Sequence, residues 1–296
     1  MRILTHTVTA AESGQPVRQL LRSLWRIDHA LLSRLKFRGA ITVNGLPVTV
    51  RATVRPGDLL RVDVSDPPGE NPHIRPVDFP LDILYEDEDL LLLNKPAGIA
   101  LHPASLTEDP ITLAGAVAFY LHSDTFHAVN RLDRGTTGVM AVAKTGFVHA
   151  RCMALLHTDD FRRDYRAVCD GVPDPAEGDI DLPLGRAEGS LLKRCPTPGG
   201  QSAHTHYQVL DTANGRALLR LTPTTGRTHQ LRVHMAAIGH PLTGDWLYGT
   251  EDRALIARPA LHSYHLRMLH PVTGAVIDVT APLPEDIQRL LKEERL

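Results

Sequence analysis

Hydrophobic and polar residues alternate along "ITVNGLPV" and "DLLRVDV", a two-residue period that marks strands with one buried face. Asn44-Gly45 interrupts the first run and predicts a tight hairpin. Ahead of these, "PVRQLLRSLW" and "IDHALLSRLKFRG" space apolar residues three and four apart, so two short helices are expected, the second stopped by Gly39. The periodicity then disappears over "SDPPGENPHIRPVDFP", residues 65–80, where five prolines and a glycine read as a linker.

Beyond it, "LDILYEDEDLLLLNKPAG" predicts strand, acidic turn and strand, and "TLAGAVAFYLH" a buried helix. Thr145 is positioned to cap a helix through "GFVHARCMALLH", with Phe147, Ala150, Ala154 and Leu155 on one face. "RDYRAVCDG" returns as a strand, and "HTHYQVLDTANGRALLRLTPTTG" as a hairpin turning at Asn214-Gly215. Thr228 is expected to cap "HQLRVHMAAIG", with Leu231, Met235 and Ile238 inward and Gly239 as the stop. "LHSYHLRMLHPVTGAVIDVTAPLP" forms another hairpin and "EDIQRLLKEERL" a final amphipathic helix. Hairpins outnumber helices, so the expected class is α+β, with a mixed, largely antiparallel sheet and flanking helices. Three segments follow: a small N-terminal module (1–64), the linker (65–80) and a main domain (81–296).

Charge sharpens this division. The net charge is −2, but between Ser13 and Asp63 nine Lys/Arg face three acids, a local +6 that leaves −8 for the remainder. A basic module on an acidic body suggests attachment to a polyanion. Aromatic residues make up 5% of the chain, too few for the broad stacking platforms of general single-strand binders. Cys152, Cys169 and Cys195 are odd in number and far apart, which argues for a reducing compartment rather than a disulfide framework. "MRILTHTVTA" lacks an apolar signal core, and no run approaches the ~18 apolar residues of a membrane span. A cytoplasmic protein without membrane attachment is therefore expected.

The candidate chemistry centres on "NRLDRGTTGVMAVAKT", residues 130–145, where Asp133 lies between Arg131 and Arg134. One reading is a solvated loop ion pair. The other is a carboxylate aimed into a cleft by the Gly135 and Gly138 turn, which a guanidinium must keep ionised there. "DRGTTG" also shares features with the Asp-x-x-Gly-Thr loop of aspartyl-phosphate enzymes, although Gly135 and the polar residues before Asp133 depart from it. A second segment, "TGRTHQLRVHMAAIGHPLTGDWLYG", gathers Arg227, His229, Gln230, Arg232 and His234 as possible anion contacts. The competing metal reading is weak: His229 and His234 are five apart, on different helix faces, and the pairs His204/His206 and His262/His265 lack acidic or cysteine company at ligand spacing. Lys95 in "LNKPAGIALHP" closes a strand before a Pro-Gly turn, and Tyr165 sits in the basic strand "RRDYRAVCDG".

Taken in order, "YEDEDLLLLNKPAGIALHP", "NRLDRGTTGVMAVAKT", "RRDYRAVCDG" and "TGRTHQLRVHMAAIGHPLTGDWLYG" resemble the four motifs of the RluA-type RNA pseudouridine synthases, over about residues 80 to 285. The segment "SRLKFRGAITVNG…VRPGD" resembles an S4-type RNA-binding module, with Arg34, Lys36 and Arg38 as its RNA contacts. The resemblance implies a pseudouridine synthase fold and an isomerase that converts uridines of ribosomal or transfer RNA to pseudouridine. Asp133 matches the catalytic aspartate, acting at ribose C1′. Arg232 matches the arginine that keeps it ionised, and Tyr165 the catalytic tyrosine that stacks on the target base, with a role in removing the C5 proton. Leu242 matches the apolar residue on the other face of that base. Arg131, Lys95, Arg227, His229 and Gln230 fall at substrate-binding positions. Isomerisation conserves every atom, so no cofactor or metal is implied, and a monomer acting on flipped-out uridine in RNA is expected. Two letters depart from the family pattern: Asn130 stands where His is usual, and Arg163 where Lys is usual. A non-catalytic RNA-binding protein of the same fold is the alternative, with an Asp-dependent phosphohydrolase as the third reading.

Overall fold

The computed structural model describes residues 1–69, 73–102, 110–156 and 158–292. Residues 70–72 of the expected linker, the end of "LNKPAGIALHP" at Pro103, the last residue of "GFVHARCMALLH" and the tail of the final helix lie outside these. The N-terminal unit comprises β1 (Ile3–Thr7), α1 (Val17–Trp25), α2 (His29–Phe37), β2 (Ile41–Val43), β3 (Leu46–Pro47) and β4 (Leu59–Asp63), in the sheet order β1-β4-β2-β3. Asp28 caps α2 by accepting from the Leu31 amide, and the Asn44-Gly45 turn takes positive φ at both residues.

The main sheet begins with β5 (Ile83–Glu86) and β6 (Leu90–Lys95), followed by α3 (Leu113–Leu121), β7 (His127–Ala128) and β8 (Thr137–Ala143). Next come α4 (Gly146–Leu155), β9 (Phe161–Asp170), β10 (Glu177–Asp181) and the small hairpin β11 (Leu184–Arg186) and β12 (Arg194–Pro196). The chain ends with β13 (His204–Ala213), β14 (Arg216–Pro223), α5 (Gln230–Ala237), β15 (Leu261–Leu269), β16 (Val276–Thr280) and α6 (Glu285–Leu291). Ten strands share one sheet, ordered β10-β13-β14-β9-β15-β8-β6-β5, with β16 on β15 and β7 on β8. Every named pair is antiparallel except β15 with β8, so the expected α+β class with a largely antiparallel sheet is what the chain adopts.

The continuous apolar run of β6 is explained by burial on both faces. Leu90 and Leu92 join one core with Val139 and Ala141 of β8 and Phe147, Val148 and Cys152 of α4. Leu91 and Leu93 join a second with Met140, Val142 and, from α3, Leu113, Ala114 and Val117. Alternation thus divides one run of leucines between two cores, each leucine contributing roughly 1.5–3 kcal/mol by burial.

Three expectations are corrected. Helix α4 buries Phe147, Val148 and Cys152, whereas Ala150 and Ala154 face solvent; the larger apolar side chains claim the sheet. Thr228 does not cap α5. His229 is the residue before the helix, in a left-handed conformation with φ 58°, and no side chain caps the end. Residues 65–80, expected as a linker without periodic structure, are docked in their described parts. Asp66 accepts from the Gly146 amide and pairs with His127, Ile74 is buried in the second core, and the Val77 amide donates to Gly115 O of α3. Gly115 is the contact that permits this crossing, since a Cβ there would lie 2.4 Å from Arg75 O. The N-terminal unit is likewise seated: Arg2 forks onto buried Asp89 at 2.7 and 2.9 Å, and its core is continuous with the α4 side of the main sheet.

The parallel pair β8/β15 brings the carbonyl of Ser263 against Gly138, which has φ 105°; a Cβ there would meet Ser263 O at 2.1 Å. Replacing Gly138 with Ala combines backbone strain with overpacking. It should lower the unfolding free energy by about 2–5 kcal/mol, read as a drop in the urea midpoint.

Candidate active site

The segment entering β8, the middle of β9 and the turn before α5 converge on a cleft of roughly 270 Å³. Asp133 is on its floor with a side chain 32% exposed. Its loop is held from behind by a set of bonds to backbone carbonyls. Lys95 Nζ donates to Pro96 O (2.9 Å), Arg134 O (3.2 Å) and Thr136 O (3.1 Å). Arg258 Nη1 donates to Gly135 O at 3.1 Å, while its Nε and Nη2 fork onto Asp286 at the start of α6. The Gly98 amide donates to Arg134 O, and the Thr136 amide turns back to Asp133 O. Burial lowers Lys95 to about 8, against the opposing pull of the Asp133 charge.

Asn130, the unusual letter beside the motif, is buried and accepts the Ala141 amide at 2.8 Å through Oδ1, with Nδ2 donating to Val139 O at 3.5 Å. Its amide thereby stands in for a strand neighbour of β8 and anchors the segment that delivers Asp133.

Arg232 approaches from α5. Nη1 is 3.4 Å from Asp133 Oδ2, while Nε and Nη2 each lie 2.7 Å from the oxygens of Asp245. Asp245 has no exposed side-chain surface and also accepts the amides of Leu247 and Tyr248. Burial opposes the charge on Arg232, but the bonds to Asp245, and then the charges of Asp245 and Asp133, outweigh it and raise its pKa. The Tyr248 ring lies under the guanidinium at 5.0 Å, and its hydroxyl is 2.8 Å from His229 Nδ1. His229 Nε2 is 3.8 Å from Asp133 Oδ2. Burial lowers the His229 pKa, so the ring faces Asp133 largely as neutral imidazole at pH 7.

Tyr165 forms another wall, 6% exposed, and burial pushes its phenol above the ordinary value. The structure thus brings Asp133, Tyr165, Arg232, Arg131, Arg227, His229 and Gln230 to one cleft. Within that set, Gln230 is fully committed to the protein: its oxygen accepts from Thr225 Oγ1 and the Arg227 amide, and its nitrogen donates to His204 O and Thr205 Oγ1. Its position braces the turn and leaves no amide hydrogen for substrate. Lys95 does not reach the cleft; its ammonium group is sealed beneath the Asp133 loop. Leu242 is also absent from the cleft wall. It is completely buried in the second core, bridged to Cys169, and Leu231 and Leu261 supply the apolar lining instead. Arg34, Lys36 and Arg38 are exposed on the N-terminal unit, around the end of α2, with Arg38 donating to Ser65 O.

Sequence reasoning missed Asp245, Tyr248 and Arg258. The first two were visible only as letters in "TGDWLYG"; thirteen residues separate Asp245 from Arg232, and no local period predicts that contact. A further recess of roughly 650 Å³ opens on the other side of Asp133, edged by exposed Trp246 and Leu192.

A model of the RNA pseudouridylate synthase family matches residues 89–237. The chain is 40% identical to the Bacillus subtilis protein named RNA pseudouridine synthase YjbO, over 90% of this chain and 95% of that one. It is 34% identical to the ribosomal large subunit pseudouridine synthase D of Escherichia coli K12, over 99% and 94%. The solved structure of human RNA pseudouridylate synthase domain containing 1 is similar with a TM-score of 0.58 at 26% identity, over 69% of this chain and 83% of that one. Fold, cleft and relatives together define an RNA-modifying isomerase. The chain belongs to the RNA pseudouridine synthase family. That membership replaces the phosphohydrolase reading of "DRGTTG".

Asp245→Asn removes the charge that matches the Arg232 fork while keeping its volume. Breaking a buried pair from one side should cost about 3–5 kcal/mol of stability, measured by urea unfolding, with a concurrent fall in turnover as the guanidinium shifts away from Asp133.

Proposed function

We propose that the protein isomerises uridine to pseudouridine in ribosomal RNA with Asp133 as the reacting carboxylate. The carrying observation is the line Asp245–Arg232–Asp133, in which a buried carboxylate fixes a guanidinium whose remaining nitrogen faces an accessible aspartate. An accessible carboxylate oriented by a guanidinium that is itself fixed is suited to act at an electron-poor centre. A uridine turned out of its RNA stack would enter the cleft and rest on Tyr165, with Leu231 and Leu261 on the apolar side. Asp133 then acts at ribose C1′ as the C1′–N1 bond breaks. The freed uracil turns, C5 bonds to C1′, the C5 proton departs and N1 ends protonated, so every atom is conserved. With its phenol kept protonated by burial, Tyr165 serves here as a stacking face, and its hydroxyl can steer the base. The named ribosomal relatives favour ribosomal over transfer RNA as substrate. Action as a monomer in the cytoplasm is part of the same reading, and ribosomal RNA as substrate is consistent with that compartment. No helix among the described residues is long and apolar enough to cross a membrane.

The division into an S4-like RNA-binding module (1–64), a docked connection (65–80) and a catalytic domain (81–296) is part of the same reading. It is supported by the separate four-stranded sheet and by the local excess of nine basic residues over three acids.

Asp133→Asn should reduce tritium release from RNA labelled at uracil C5 by about 10⁴-fold or more, the scale at which loss of a reacting group acts. Near wild-type release would remove Asp133 from the reaction, and RNA binding without release by the unaltered protein would identify a non-catalytic binder. For the N-terminal module, Arg34→Gln with Lys36→Gln should weaken RNA binding and lower its salt slope by about 0.7–0.9 per residue. An unchanged slope would make these residues a solvated face. Point substitutions are the cleaner test because removing residues 1–64 would also expose the shared core around Leu90 and Leu92.

A further inference from the structure

Three arginines are buried among the described residues: Arg163, Arg232 and Arg258. Two of them grip a carboxylate with both prongs of the guanidinium, Arg232 on Asp245 and Arg258 on Asp286. Arg163 does not. It is 7% exposed, and among the described residues its Nε has no hydrogen-bond partner and its Nη2 reaches only Thr225 O at 3.5 Å. The Phe161 ring lies 5.7 Å from the guanidinium carbon, and no carboxylate among the described residues pairs with it. Such a group is costly to bury without a counter-charge, and a guanidinium does not relieve that cost by shedding its proton.

Its location indicates what completes it. Arg163 is two residues before Tyr165 on β9, so both side chains leave the same face of the strand. Both line the cleft that holds Asp133, and Arg131 and Arg227 line it too. A base resting on Tyr165 brings its sugar–phosphate backbone towards these arginines. A phosphodiester matches a guanidinium in charge and in two-pronged geometry, whereas a uracil carbonyl offers neither. We propose that Arg163 binds a backbone phosphate next to the uridine that enters the cleft, so that the RNA supplies the counter-ion the protein withholds. This rests on the RNA-isomerase reading above. It also assigns a role to the position where Arg replaces the usual Lys: two donors in a plane seat the phosphate with a fixed orientation.

The test uses the full chain, its Arg163→Met and Arg163→Lys variants, and a labelled decauridylate. In the free protein Arg163→Met should melt at the wild-type temperature or higher, because it removes a buried, unpaired charge. It should bind decauridylate about tenfold more weakly, with a salt slope smaller by about 0.7, the value for one single-strand phosphate contact. Arg163→Lys should retain part of the affinity and most of the slope. A decauridylate with neutral methylphosphonate linkages should bind wild type and Arg163→Met equally. An unchanged slope, a lowered melting temperature in both variants, or a loss that persists with the neutral oligomer would overturn the proposal; the last result would move the contact to the base. Tritium release by the wild type is scored separately. Its absence would sink the isomerase reading while leaving the slope comparison to decide the phosphate site.

Discussion

The buried fork between Asp245 and Arg232 is the interaction on which the rest of the site depends. A guanidinium has a planar set of donors, and once Nε and Nη2 are locked onto one carboxylate the direction of Nη1 is no longer free. Asp245 is locked in turn by the amides of Leu247 and Tyr248. The contact to Asp133 is longer, 3.4 Å against 2.7 Å. That difference matters physically. The strong pair is structural and almost fully withdrawn from water, and the weaker one leaves the Asp133 carboxylate open to a reactant rather than locked to a tight partner.

A second set of constraints acts on the opposite side of Asp133. Lys95 and Arg258 both bind carbonyls of the 134–136 turn, one from the end of β6 and the other from a group anchored on α6. Donors on backbone carbonyls fix the path of the chain without competing for the aspartate itself. Asn130 performs the same task one step earlier through the Ala141 amide. The aspartate is therefore aimed by groups that do not touch it, a form of preorganisation that keeps its oxygens available to a reactant. Helix α6, though remote in sequence, joins this arrangement because Ile287 and Leu290 seat it in a small core with Val168, Ile256 and Ala260.

Much of the architecture was legible in local pattern. The Asn-Gly turns, the Thr145 cap, the Gly39 and Gly239 stops and the strand identity of β9 all depend on neighbours within a few residues, so they could be read without a fold. The misread details have a common cause. The end of α5 looks capped by Thr228, yet His229 adopts the left-handed conformation that places its ring between Tyr248 and Asp133; a demand of the site overrides the local preference. Proline-rich residues 65–80 look like a tether because docking onto Gly115 and His127 leaves no periodic mark. Leu242 occupies a motif position beside the site, but the sheet draws it into the core and presents Leu231 and Leu261 instead.

The sequence by itself determined the element types, the α+β class, the basic character of the N-terminal unit and the candidacy of Asp133, Tyr165 and Arg232, because each is written in short-range spacing or in motif order. Only the tertiary structure decided how charge is apportioned. It assigned Arg232 to Asp245 first and Asp133 second, turned Lys95 from a substrate contact into a brace, and left Arg163 buried without a carboxylate among the described residues. Pairing of this kind depends on distances of a few ångströms between segments that are dozens of residues apart, and the electrostatic energy at stake depends on the water excluded between them. Neither quantity exists until the chain has folded.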